Sequence, residues 1–274
     1  MTGNPSDLAS KEHWDLVHDR AGVSRPASKW SPTGSHDMMA LEYSLRKEIV
    51  NSGAKSLLEI GCGNSVWLPY FANNLNMAVA GIDLSEQGCR LAEEQLRISG
   101  AKGVVHCRDV FKCTAGEIGQ FDFVYSLGVV EHFTDLPKVL SKFVEFVKPG
   151  GVLFSEIPNF PSFHSAFSRF WQPGILARHN LSAKSSIMPA CRDLGLTNIR
   201  GGYLGLFSLD VVAWGMDPRF PRLERILMPL IKLTRRLTRR LLCHSRRYEG
   251  GHPYWAPFYY VAANKPGAPT IATP

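Results

Sequence analysis

Apolar residues recur at helical spacing over residues 8–20 and 36–52, and the second stretch closes on Asn51-Ser52-Gly53, a glycine stop that suits the end of a helix. The pattern then changes to short apolar runs at 56–60 (SLLEI), 77–83 (MAVAGID), 103–108 (GVVHCR), 121–126 (FDFVYS) and 151–157 (GVLFSEI). Helical stretches near 66–75, 86–99 and 135–147 separate them. Runs of this length read as buried strands, and their alternation with helices predicts a parallel sheet covered on both faces. Two further strands are expected near 197–207 and 257–263. The fold class is therefore α/β: a doubly wound, mainly parallel seven-stranded sheet with helices on both faces. The chain divides into an N-terminal helical segment (1–53), a core (54–157), a region holding the last two strands (158–264) and a Pro-rich tail (265–274) expected to fray.

Composition changes this picture at one place. The 274 residues are 45% hydrophobic, ordinary for a globular protein. There is no apolar run of about 18 residues, and the first twenty residues have neither a basic start nor an apolar stretch, so a membrane span and a secretion signal are not expected. A cytoplasmic location follows as an expectation. The six cysteines lack CxxC pairs or clustered spacing, so they read as reduced and buried rather than as metal ligands. The net charge of +7 is local: residues 219–247 hold ten Lys or Arg and one acid, and without them 21 basic residues face 23 acidic ones.

Candidate chemistry begins at Glu59, a carboxylate inside a strand-like run and followed by Gly61 and Gly63. Glycines just past a strand end let the backbone turn and approach a ligand. A dinucleotide site would want a third glycine at position 66, which is Val66, so the nicotinamide reading is weakened.

These residues resemble the class I S-adenosylmethionine-dependent methyltransferases of the small-molecule type, whose first motif is an acid followed by spaced glycines; Ser65 stands where the third glycine usually falls. The resemblance runs through residues 40–160. "AGIDLS" matches the acid that binds the cofactor's ribose hydroxyls, here Asp83 with Leu84 after it. "CRDVF" matches the adenine contacts, Asp109 and Val110. "SLGVVEHF" matches the loop near the methionine moiety, Leu127 and Gly128, and "VKPGG" the turn into the fifth strand. The resemblance implies a Rossmann-like methyltransferase fold with a helical cap in 158–264, a lid in 1–53, and S-adenosylmethionine bound by Glu59, Gly61, Cys62, Gly63, Asp83, Leu84, Asp109, Val110, Leu127 and Gly128, with S-adenosylhomocysteine as product. It also gives Glu59 a role in ordering the glycine loop, the alternative being a carboxylate that only caps loop amides.

A sulfonium methyl group is already activated, so the protein mostly aligns the reactants and excludes water. His132 is the candidate base for a hydroxyl acceptor, or else a histidine that orients the loop. His164, His179 and Trp171, in the region of the cap, are candidate substrate residues, and Trp14 or Tyr43 candidate lid residues. No metal site is expected. Residues 222–242 set on a helix separate leucines and isoleucines from arginines, around Pro229. This basic helical insertion, about 208–247, suits an anionic membrane or lipid contact, and equally a helix packed on its own domain. The function expected is O-methylation of a small or amphiphilic molecule by in-line displacement; an RNA methyltransferase or a cofactor-binding module without transfer are the alternatives. Nucleic acid is disfavoured because the charge is segregated late in the chain, and nothing in the sequence sets the oligomeric state.

Overall fold

The computed structural model describes residues 7–21, 36–163, 177–205 and 251–267, together with Pro229, Leu230, Leu233 and Leu237. Its elements are α1 (Lys11–Ala21), α2 (His36–Ser52), β1 (Ser56–Ile60), α3 (Trp67–Leu75), β2 (Ala78–Asp83), α4 (Glu86–Ser99), β3 (Gly103–Cys107), α5 (Ala115–Ile118), β4 (Phe121–Leu127), α6 (Leu136–Glu145), β5 (Val147–Pro158), α7 (Ala183–Asp193), β6 (Thr197–Leu204) and β7 (Phe258–Asn264). Short 3-10 turns at Val110–Lys112 and Val130–His132 follow β3 and β4.

The seven strands form one sheet in the order β3-β2-β1-β4-β5-β7-β6. The pairs from β3 across to β5 are parallel, and β7 runs antiparallel to both β5 and β6. Strand order reverses between β1 and β4, which places the ligand crevice at their carboxyl ends. The expected doubly wound sheet is present, with one antiparallel strand near its edge.

Two apolar layers hold it. On one face Leu58, Ile60, Val124, Leu153 and Val261 meet Val139, Leu140 and Phe143 of α6 and Ile187 and Cys191 of α7. On the other Leu57, Phe123, Tyr125 and Phe154 meet Leu41 and Leu45 of α2 and Leu68 and Phe71 of α3. The helix ends follow local chemistry. Ser85 caps α4 by accepting the Gly88 amide at 3.0 Å, Asp135 caps α6 through the Lys138 amide at 3.2 Å, and Gly53 at φ +66° follows α2.

Several boundaries differ from the sequence reading. β5 starts at Val147, because Phe121 pairs with Val147 before a register shift, and β6 stops at Leu204. α7 had no expectation; it packs on the sheet in the same apolar layer as α6. Most of 208–247 lies outside the described residues. Among the described residues no helix is long and apolar enough to cross a membrane.

Candidate functional site

The glycine loop is built from beneath. Glu59 is buried, and its Oε2 accepts hydrogen bonds from the Ser65 hydroxyl at 2.5 Å and the Tyr125 hydroxyl at 2.8 Å. Ser65 Oγ in turn accepts the amides of Trp67 at 3.1 Å and Leu68 at 3.2 Å, at the start of α3. Burial pushes the Glu59 carboxyl up to about 7, against the two hydroxyl bonds. Glu59 thus ties β1, β4 and the entry to α3 together, and Ser65 is the link. Cys62, expected among the cofactor contacts, turns its thiol into the core: a Cβ placed on Gly81 would lie 2.5 Å from its Sγ. Only the Cys62 backbone faces the loop.

Gly61 adopts φ +79°, a left-handed conformation open to glycine, and its amide bonds to Ile82 O at 2.8 Å. The Gly63 amide donates to Asp83 Oδ2 at 2.7 Å, and the Ser85 amide to Asp83 Oδ1 at 2.8 Å. The carboxylate is therefore fixed at the end of β2 beside the loop. Burial raises its pKa, and the Ser85 and Gly63 amides oppose that shift. Leu84 follows, half-buried. Asp109 caps the turn after β3 through the Phe111 amide at 3.0 Å, and Val110 packs against the core. Leu127 ends β4, and Gly128, at φ +68°, bonds to Glu156 O at 3.0 Å.

Helix α1 crosses these strand ends. Its preceding residues pair with the loop after β4, the Leu8 amide bonding to His132 O at 2.8 Å. Lys11 meets Glu86 at 3.0 Å and Asp15 Oδ1 accepts the Ser85 hydroxyl at 2.6 Å. The His18 imidazole fills the notch between Gly63, Gly88 and Asp83, where a Cβ on Gly63 would collide with it. Trp14 meets the His132 ring edge-on, with centroids 4.9 Å apart. The face of α1 turned to the strand ends is therefore carried by Lys11, Trp14, Asp15 and His18, at helical spacing, while Tyr43 is exposed on α2.

The loop at 177–180 docks on the turn after β4, the Asn180 amide bonding to Glu131 O and its side chain to Phe133 O at 3.1 Å. That docking sets the His179 ring against His132, tilted at 47° with centroids 4.4 Å apart, and edge-on to Phe160 at 5.1 Å. His132 Nδ1 lies 2.8 Å from the Arg178 carbonyl oxygen. A carbonyl oxygen only accepts, so Nδ1 carries the proton and Nε2 the lone pair. Burial, then the nearby His179, pushes the His132 pKa down to about 4, so the ring is neutral at pH 7. Glu131, His132 and His179 also bring ligand-type atoms within 4.8 Å of one another, a grouping that no sequence spacing announced. His164 and Trp171 lie outside the described residues.

A doubly wound sheet with an acid-fixed glycine loop at its switch point is the fold of the class I S-adenosylmethionine-dependent methyltransferases. A family model described as a methyltransferase domain matches residues 36–200, and the chain belongs to that family. Among its relatives, the ubiquinone biosynthesis O-methyltransferase of Aromatoleum aromaticum is 31% identical over 141 residues, covering 50% of this chain and 60% of that protein. The protein of the same name from Thiobacillus denitrificans is 30% identical, covering 47% of this chain and 57% of that one. The matched segment thus spans a little over half the length of these curated relatives. Among solved structures, the plantazolicin methyltransferase BpumL in complex with a desmethylPZN analogue and SAH shares the fold at a TM-score of 0.56 and 14% identity, covering 92% of this chain and 89% of that one.

Proposed function

We propose that the protein is an S-adenosylmethionine-dependent methyltransferase that methylates a hydroxyl oxygen of a small or amphiphilic molecule and releases S-adenosylhomocysteine. The observation that carries this reading is Asp83, a carboxylate held by the Gly63 and Ser85 amides beside the switch point of the sheet. One lone pair on each oxygen is taken by an amide, and those left over suit two adjacent ribose hydroxyls. The glycine loop suits the cofactor, since Gly63 and Gly88 bring no side chain to the notch beside Asp83; the His18 imidazole of α1 lies in that notch and has to swing out for the ribose to enter.

The bound cofactor supplies a methyl group on a sulfonium, ready for in-line displacement. The chain's residues then orient the acceptor and exclude water. Helix α1 covers the groove, and Leu127 and Gly128 border the donor end. His132, with Nε2 unprotonated, accepts a hydrogen bond from the acceptor hydroxyl. A base of pKa about 4 is too weak to ionise an alcohol beforehand, so it takes the proton as the C–O bond forms. The names of the two relatives described above, both O-methyltransferases, support oxygen as the acceptor atom. Titration calorimetry with S-adenosylmethionine tests the reading. Wild type should bind, and Asp83→Ala should weaken binding by about 1.5–3 kcal/mol, the scale of hydrogen bonds to a charged group. Absence of binding by wild type would overturn it.

A second reading concerns the basic segment. Leu230, Leu233 and Leu237 are helical, spaced three and four residues apart, and 50%, 52% and 48% exposed. An exposed leucine stripe within a stretch of ten Lys or Arg supports contact with an anionic membrane surface. Sedimentation with phosphatidylglycerol vesicles should carry the protein down at low salt and release it at high salt. Leu233→Glu with Leu237→Glu should abolish the effect. Equal partition onto phosphatidylcholine would sink the idea.

A further inference from the structure

The carboxyl ends of β4 and β5 carry two acids that the methyl-transfer reading leaves unused. Glu131 and Glu156 are 1% and 5% exposed, and Gly128 sits between them. Its amide bonds to the Glu156 backbone oxygen, and a Cβ built on it would lie 3.6 Å from Glu131 Oε1. Strand register agrees, pairing Leu127 with Glu156. Both acids therefore flank the residue that borders the donor end of the groove.

Each carboxyl accepts a backbone amide but keeps one oxygen unsatisfied. Glu131 Oε2 and Glu156 Oε1 are buried without a hydrogen-bond partner, as is Asn159 Oδ1 three residues further on. All three orphans are acceptors, and among the described residues no Lys or Arg forms an ion pair with either acid. Asp37 adds further negative charge against Glu156. Burial pushes Glu131 up to about 8 and Glu156 well above the carboxylate range. Two adjacent buried carboxyls without a counter-charge are costly, and folding keeps such an arrangement when a ligand completes it.

We propose that Glu131 and Glu156 form a cation subsite beside Gly128 and that the methyl acceptor carries an ammonium group that fills it. This rests on the methyltransferase reading and adds the substrate class. An ammonium offers three N–H donors and one positive charge, matching orphan oxygens that lack both. The Trp14, His132, His179 and Phe160 rings, in successive edge-on and tilted contact, give the remainder of the acceptor an aromatic wall. A metal ion on Glu131, His132 and His179 is the competing occupant. It would leave Glu156 unaccounted for, which is why the ammonium is favoured.

The test compares benzylamine with its neutral counterpart benzyl alcohol, titrated into protein saturated with S-adenosylhomocysteine. Benzylamine should bind at least tenfold more tightly, and Glu131→Gln and Glu156→Gln should each remove at least that factor while keeping S-adenosylhomocysteine affinity and melting midpoint. Glu131→Asp and Glu156→Asp, which restore the charge, should recover part of the loss and so exclude a folding defect. Equal affinity for the two probes, or benzylamine binding untouched by the Gln variants, overturns the subsite alone. Stoichiometric Zn2+ binding that displaces benzylamine, depends on His179 and survives Glu156→Gln overturns it in favour of a metal. Failure of wild type to bind S-adenosylhomocysteine overturns the underlying methyltransferase reading instead.

Discussion

Ser65 stands where the resembling family usually has glycine, and its hydroxyl donates to Glu59 while accepting two amides of α3. Removing it leaves Glu59 with Tyr125 as its remaining partner in a buried site. Ser65→Ala should cost about 1–3 kcal/mol, read as a lowered urea midpoint. The pH dependence has a definite sign. The folded pKa of Glu59, about 7, lies above its ordinary 4.5, so between those values the folded state holds a proton that the unfolded state releases. Stability from this group is present below 4.5, falls as pH rises towards 7, and is flat above. The Ser65 bond favours the ionised form, so Ser65→Ala should hurt more at pH 8 than at pH 5. A penalty independent of pH would show that Glu59 does not titrate there.

At the scale of elements, α1 is held across the strand ends by few contacts. It has polar anchors at Lys11 and Asp15 and aromatic or imidazole contacts at Trp14 and His18. Asp15 accepts the same Ser85 hydroxyl that caps α4, so the seat of α1 and the α4 cap are coupled. Asp15→Ala should lower S-adenosylhomocysteine affinity about fivefold to tenfold, near 1 kcal/mol. Hydrogen exchange in residues 11–21 should quicken while the urea midpoint barely moves. A large loss of global stability would instead make α1 part of the core.

For the whole molecule, the late strands are locked to the early helices by Arg200. Its guanidinium bonds to both Glu48 oxygens on α2 and to Asn264 Oδ1 on β7 at 2.8 Å. Glu48 is nearly buried, so Arg200→Met should cost about 2–3 kcal/mol, less than a fully buried pair because the guanidinium is partly exposed. Circular dichroism and tryptophan fluorescence should shift together; separate transitions would mean that β6 and β7 unfold on their own. The sequence by itself determined the seven strands, the helices α3, α4 and α6 between them, and the glycine loop with Asp83 after β2, because strand and helix periods and glycine turns are local, whereas the four-residue α5 is too short to show a period. Only the tertiary structure decided that Cys62 points inward, that His18 reaches Asp83, that α7 joins the core, and that Glu131, Glu156, His132 and His179 gather at one end. Those neighbours are brought together by strand order and loop docking, from positions up to tens of residues apart, and no local pattern of hydrophobic and polar residues encodes such a meeting.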